Sequence, residues 1–74
     1  MNTIEDELKK RLIIEDEEFK RLSEEHEEFE RQLAQLNSKS FLTPAEEMER
    51  KKIQKLKLAG KDRMEMILSS HRKN

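Results

Sequence analysis

His26 is the residue in this sequence whose type most directly suggests chemistry. Glu25, Glu27 and Glu28 are its neighbours, and Glu30 lies about one helical turn further on. A histidine and a carboxylate one turn apart can share a metal ion, but a stable site needs three or four converging ligands. The other interpretation is a polar residue within an apolar helix seam, which fixes register or oligomeric state. We favour this second interpretation and predict neither a metal site nor a cofactor.

Positive charge is concentrated in residues 50–63. Asp62 is the single acid in this run, and the bases are Arg50, Lys51, Lys52, Lys55, Lys57, Lys61 and Arg63. Such a cluster can bind nucleic-acid phosphates by displacing counterions. However, no aromatic residue that could stack on bases follows residue 43. We expect these side chains to face an acidic helix, with nucleic-acid binding as the alternative.

The sequence contains no pattern that indicates catalysis. It has one glycine and no cysteine, so it offers neither a glycine-rich phosphate loop nor thiolate chemistry. Carboxylates are abundant, but two packed helices form no cleft suited to a substrate. We therefore predict that the protein is not an enzyme.

Helices must position these side chains, because the apolar residues recur with helical spacing. The chain has 74 residues, of which 45% are charged and 32% hydrophobic. That composition with a helical period is typical of long helices and coiled coils. From Leu8 to Leu36, seven of nine heptad positions are large and apolar, and Glu15 and His26 interrupt them. This spacing predicts one helix over about residues 4–36.

A turn separates this helix from a second one. Residues 37–40 read Asn-Ser-Lys-Ser, a cluster of turn formers. Thr43, Pro44 and Glu46 follow with the spacing of a capping box, in which Thr43 is the N-cap and Pro44 the first helical residue. The sequence therefore predicts a turn at 37–43 and a second helix over about 44–71.

A short connection makes consecutive helices antiparallel neighbours. The predicted fold is an all-α, antiparallel two-helix hairpin that forms a single domain over residues 1–74. Folding near residue 41 pairs Leu33 with Met48 and Leu22 with Gly60. Gly60 either makes room for a bulky neighbour or is a tolerated defect that costs about 1 kcal/mol relative to alanine.

Charge favours the same pairing of the two helices. Residues 1–36 contain twelve acids and six bases, whereas residues 37–74 contain five acids and ten bases. An acidic helix beside a basic helix is preferred over the pairing of like with like. We expect these charges to determine register and partner choice more than stability, because exposed ion pairs contribute about 0–1 kcal/mol each.

Several apolar residues fall outside the predicted seam. They are Ile13 and Ile14 on the first helix and Leu58, Met66 and Leu68 on the second. A chain this small without cysteine has few sources of stability other than oligomerisation. We predict a homodimer or higher oligomer, in which a second hairpin completes a four-helix bundle and Leu58 and Met66 are contact residues. The alternative is scattered exposed apolar residues, which are common on protein surfaces.

Three short stretches occur together in this chain. Residues 19–22 read Phe-Lys-Arg-Leu with Glu25-His26 after them, residues 41–46 read Phe-Leu-Thr-Pro-Ala-Glu, and residues 55–58 read Lys-Leu-Lys-Leu with Lys61-Asp62 after them. In this order, over about residues 14–70, they resemble the YdcH-like family of small bacterial proteins of unknown function. Gly60 departs from the family pattern, where a larger residue is more usual. The resemblance implies a helical hairpin and supplies no catalytic or ligand residues.

The predicted function is a non-enzymatic interaction or scaffolding role with an unidentified protein partner. Candidate binding residues are Lys51, Lys52, Lys55, Lys57, Lys61, Leu58 and Met66. The alternative is a nucleic-acid-associated accessory protein that binds through the basic second helix. We expect a cytoplasmic protein with no membrane association, because residues 1–12 lack the apolar stretch of a signal peptide and no run approaches the roughly 20 apolar residues of a membrane span.

Overall fold

The computed structural model describes residues 3–72, and this part of the chain contains three α-helices and no β-strand. Helix α1 comprises Thr3–Glu15, α2 comprises Glu17–Asn37 and α3 comprises Pro44–Arg72. The predicted all-α fold class is therefore confirmed. Within residues 3–72, no helix combines the length and the apolar composition that crossing a membrane requires.

The chain leaves the helical path at Asp16, where the heptad spacing predicts an uninterrupted helix. Asp16 has φ −117° and ψ 110°, which is extended backbone. Its carboxylate accepts a hydrogen bond from the amide of Phe19 at 3.0 Å, so that Asp16 is the N-cap of α2. The prediction of one helix over residues 4–36 is wrong at this point, because an aspartate side chain competes for backbone amides and favours a cap over a helix interior.

Helices α2 and α3 lie side by side and run in opposite directions. The carboxylate of Glu18, early in α2, contacts Arg63 late in α3 at 2.8 Å. Glu30, late in α2, contacts Lys57 at 3.0 Å, and Leu22 lies opposite Gly60 between these two levels. Residues further along α2 thus meet residues closer to the start of α3, and we refer to this unit as the α2–α3 pair.

The main core lies at the end of the pair where α2 begins and α3 ends. Five buried apolar residues from all three helices form it: Leu8, Leu12, Phe19, Ile67 and Leu68. Leu68 is 1% exposed, although the sequence places it outside the seam. The expectation that Leu68 lies outside the packed interior is therefore wrong. The reason is α1, whose Leu8 and Leu12 pack against Leu68 and cover this end of the pair.

The turn at the other end is held by local hydrogen bonds. Thr43 Oγ1 accepts from the Glu46 amide at 3.2 Å, and the Glu46 carboxylate accepts from the Thr43 amide at 3.0 Å. This is the reciprocal pattern of the predicted capping box. The Lys39 ammonium group also donates to Glu46. Both Lys39 and Thr43 of the turn are therefore joined to Glu46 in the first turn of α3.

Gly60 does not mark a close approach between the helices. A Cβ atom at this position would lie 4.0 Å from Leu22 Cδ2, which is an ordinary van der Waals contact. Its backbone also has no positive φ that would require glycine. Of the two interpretations offered by the sequence, the geometry therefore supports the tolerated defect.

We predict that Gly60→Ala raises the free energy of unfolding by up to about 1 kcal/mol, because alanine has the higher helix propensity and loses less backbone entropy on folding. Urea denaturation followed by circular dichroism measures the change. Gly60→Leu is the contrasting variant, since its larger side chain must displace Leu22. A loss of stability in Gly60→Ala would show that Leu22 needs the open space.

We predict that Asp16→Ala lowers the free energy of unfolding by about 1 kcal/mol, because the first turn of α2 loses its cap. Asp16→Asn is the matched control, since its side-chain oxygen still accepts the Phe19 amide. The same denaturation experiment compares the two variants. Equal stability of Asp16→Ala and the wild type would mean that the cap is not what supports the start of α2.

Candidate functional site

Four lysines of α3 are exposed and take no part in any ion pair formed among residues 3–72. They are Lys51, Lys52, Lys55 and Lys61. None of the four ammonium groups lies within ion-pair distance of a described carboxylate, although the charge of Lys61 helps to lower the pKa of Glu30. These four predicted binding residues are therefore available for a partner, whereas the expectation that the whole basic run faces an acidic helix is met by only part of it.

The other three cations of the basic run are engaged within the molecule. Arg50 contacts Glu47 at 2.9 Å along α3 itself. The remaining two reach across to α2, where Lys57 contacts Glu30 at 3.0 Å and Arg63 contacts Glu18 at 2.8 Å. Lys57 is thus a structural cation, and it differs in role from the lysines that share the basic run with it.

Exposed apolar side chains lie beside three of the free lysines. Met48 is 73% exposed and Leu56 is 46% exposed, and both line one shallow groove with Lys51, Lys52 and Lys55. We call these five residues the outer face of α3. The groove combines apolar surface with positive charge that no described carboxylate pairs with.

The sequence assigns Met48 to the intramolecular seam, and the structure corrects this assignment. Leu33 and Ile53 are buried at this end of the pair. A residue five positions from Ile53 lies about 140° from it round the helix, and Met48 therefore turns to solvent. The predicted pairing of Leu33 with Met48 is wrong, whereas the opposition of Leu22 and Gly60 is confirmed.

Leu58 and Met66, the predicted contact residues, are 61% and 62% exposed. They are eight positions apart on α3 and so point about 80° apart round the helix axis. Ile14 on α1 is 84% exposed, while Ile13 is 39% exposed. Because Leu68 belongs to the core, the five residues that the sequence groups together do not form one exposed set.

His26 lies half-buried on α2, where its Nε2 is 3.7 Å from Glu30 Oε1. Its Nδ1 is buried and has no hydrogen-bond partner among the described residues. Glu30 in turn contacts Lys57 of α3, so the histidine belongs to a polar group that bridges the two helices. In the described part of the chain, no three His, Cys, Asp or Glu side chains could jointly hold a metal ion.

A cleft of about 270 Å³ lies where α1 meets the α2–α3 pair. Buried Phe19 and Leu68 contribute to its lining, together with His26 and the charged residues Lys9 and Lys61. Sequence reasoning on two helices predicts no cleft, and the third helix accounts for this difference. The sequence signal that indicates a separate third helix is the Asp-Glu-Glu pattern at residues 16–18, which is typical of an N-cap followed by an acidic first turn.

Ion pairing lowers the pKa of three carboxylates, two at the contact between α2 and α3 and one at the turn. The Arg63 guanidinium lowers the pKa of Glu18, and the Lys57 ammonium lowers the pKa of Glu30. Hydrogen bonding from Lys39 lowers the pKa of Glu46 in the capping box, and Thr43 adds to this effect. Each of these groups favours its charged form in the folded state, so each stabilises the fold above the pKa of the unfolded chain.

These features define a small all-α protein whose candidate contact residues lie on an exposed helix face. The family model described as protein of unknown function DUF465 matches residues 19–68, which include most of α2, the turn and most of α3. The chain belongs to this family, which includes the YdcH-like small proteins, and the resemblance seen in the sequence is confirmed. No curated protein and no solved structure matches the chain.

We predict that the melting temperature falls as the pH decreases below about 4.5, the ordinary value for these glutamates. The folded-state pKa values are depressed, so protonation on acidification removes the ion pairs to Arg63 and Lys57. In Glu18→Gln/Glu30→Gln the fall should be shallower, while Glu24→Gln, at an exposed position that takes part in no described ion pair, serves as the control. Identical pH profiles for wild type and the double variant would contradict the assignment.

Proposed function

We propose that this protein is a non-enzymatic interaction module of the cytoplasm, and that it binds an acidic protein segment through the outer face of α3. The observation that carries the proposal is the position of three lysines without carboxylate partners around exposed Met48 and Leu56. Arg50 on the same helix pairs with Glu47, whereas these three lysines pair with no described carboxylate. The face therefore combines exposed apolar side chains with positive charge that an acidic partner could approach.

The composition of the outer face fits the physical demands of protein recognition. A few well-packed, desolvated side chains near the centre of an interface carry most of its binding free energy. Flanking charges accelerate association and reject partners of the wrong sign. Met48 suits such a role because the unbranched methionine side chain adapts to partners of different shape.

The scaffold holds this face in a fixed orientation. The capping box fixes the start of α3, and the ion pairs to Glu30 and Glu18 fix its rotation relative to α2. A surface that is ordered before binding loses less conformational entropy on association. The outer face of α3 is therefore already in its helical conformation before a partner binds, and binding needs no folding of α3.

We also propose that the α2–α3 pair acts as a helical hairpin that self-associates. Its support is the amount of apolar side chain left uncovered on a small chain, including Leu58 and Met66, which are 61% and 62% exposed. Two hairpins stacked together would bury part of this surface in a four-helix bundle. Small domains without disulfides commonly obtain stability in this way.

Nucleic-acid binding is the second candidate function, and the free ammonium groups of Lys51, Lys52, Lys55 and Lys61 favour it. Arg50, Lys57 and Arg63 are engaged in ion pairs within the protein, which weakens the case for nucleic-acid binding. Binding through the four lysines would give an affinity that falls with salt at about −0.9 logarithmic units per phosphate contact. Binding of a protein through Met48 and Leu56 would retain affinity at moderate salt.

We predict that tagged wild-type protein retains a defined protein partner from a nuclease-treated lysate of its native host, and that Lys51→Glu/Lys55→Glu loses it. The reason is that charge reversal makes the outer face repel an acidic segment. Lys10→Glu/Lys20→Glu is the matched control, since it makes the same change of net charge away from α3. Quantitative mass spectrometry of the retained proteins measures the difference.

Two results of this experiment would contradict the proposal. If the retained proteins disappear with nuclease, α3 acts on nucleic acid and the second candidate is correct. If the control variant loses the partner as completely as the α3 variant does, net charge rather than the outer face governs binding.

A further inference from the structure

One side of the α2–α3 pair remains uncovered. Helix α1 packs on the side where its residues Lys9 and Ile13 line a cleft with Ser23 of α2 and Lys61 of α3. At about 100° per residue, Phe29 lies about 120° from Ser23 round α2, and Leu56 lies about 140° from Lys61 round α3. Both point away from α1. We call this opposite side the free side of the pair.

Apolar residues recur along the free side. On α2, Phe29 and Leu36 lie seven residues apart and are half-buried, and Leu22, seven residues before Phe29, packs against the main core where this row begins. Leu36 shares a groove with Glu49 and Ile53 of α3, so α2 and α3 both contribute to this side. A seven-residue repeat that remains partly exposed after a helix has packed on its partner is typical of a seam for a second helix layer.

Two unpaired charges of opposite sign lie on the free side, one on each helix, and Glu49 adds an acid to the α3 edge. Glu25 lies on α2 between Leu22 and Phe29, and Lys52 lies on α3 one turn before Leu56. Both are exposed, and neither takes part in an ion pair among residues 3–72. A second copy packed with α2 on α2 would bring the glutamates together. Packing of α2 on the α3 of the second copy brings opposite charges together instead.

We propose that a second copy of this chain covers the free side, with a two-fold axis parallel to the helices, so that α2 of each copy packs on α3 of the other. This arrangement is antiparallel at every helix contact. The inference rests on the proposed function, because Lys52 and Leu56 belong to the outer face of α3. The second copy would cover this part of the face. Lys51 and Lys55 lie further round the helix and stay accessible to another acidic partner.

The positions of Glu25 and Lys52 along the helix axes support this symmetry. Rotation about a two-fold axis parallel to the helices does not change how far along the bundle a residue lies. Because Leu22 is opposite Gly60 and Glu30 contacts Lys57, Glu25 lies between these levels, opposite about residues 57–60 of α3, which are about 7–12 Å from Lys52 along the helix at 1.5 Å per residue. The two long side chains span that separation, so Glu25 of one copy reaches Lys52 of the other in both symmetric contacts.

The experiment measures self-association of the full chain by sedimentation equilibrium, in which a dimer has twice the 8.9 kDa of one chain. We expect the wild type to dimerise at micromolar concentration. Glu25→Lys alone and Lys52→Glu alone should each weaken the dimer about tenfold, since each reversal creates two repulsive contacts. An equimolar mixture of the two variants should restore the dimer, because the altered helices are then complementary in both contacts.

Adjacent residues provide matched controls for each variant. Glu24→Lys and Lys51→Glu make the same charge changes, but each residue lies about 100° further round its helix and points away from the second copy. Both controls should leave the dimer unchanged. Circular dichroism of every variant measures whether it is folded, and a variant that has lost helix content is replaced by Glu25→Gln or Lys52→Gln, each of which should weaken the dimer to a lesser degree.

Three outcomes would overturn the inference. A wild type that stays monomeric at about 100 μM, roughly the weak limit of a specific dimer, would leave another protein as the partner of the outer face and would not affect the nuclease experiment. A tighter complex between wild type and Glu25→Lys than either forms alone would mean that α2 packs on α2. A mixture of Glu25→Lys and Lys52→Glu that stays monomeric would show that these residues do not meet.

Discussion

Burial of Phe19 is the interaction on which the arrangement of all three helices depends. Phe19, Leu12 and Leu68 are the largest fully buried side chains, and they come from α2, α1 and α3 respectively. Full burial of one such side chain contributes about 1.5–3 kcal/mol. At the other end of the pair, Leu33 and Ile53 are the buried residues, and the capping box of the turn takes over part of the task of orienting α3.

Charge has two separate tasks on this scaffold. Glu18 and Glu30 pair with cations of α3 and fix the register of the helices, although exposed pairs of this kind contribute little to stability. The lysines of α3 that these acids do not reach form the surface available to other molecules. A chain with nearly balanced net charge thus separates its cations into a structural group and an interacting group according to their position round a single helix.

Heptad spacing and cap residues were sufficient to predict helices, the turn and the opposition of Leu22 to Gly60. They failed at Asp16, because periodicity records where apolar residues fall and not whether a side chain competes for backbone amides. They failed again at Met48, where a rotation of about 140° from Ile53 decides exposure. The candidate lysines could be listed from the sequence, but only the structure shows that Lys57 is engaged and Lys51, Lys52 and Lys55 are not.

The interruption at Asp16 also sets the order in which the molecule opens. Helix α1 contributes Leu8 and Leu12 to the core, and its Glu5 contacts Arg72 at the far end of α3. The matched family segment begins at Phe19, beyond this helix. Because a non-helical residue stands at its base, α1 can separate from the α2–α3 pair as a unit. Its amides should therefore exchange with solvent ahead of those in α2 and α3, and its release would turn the buried surface of Phe19 and Leu68 into a transient apolar patch.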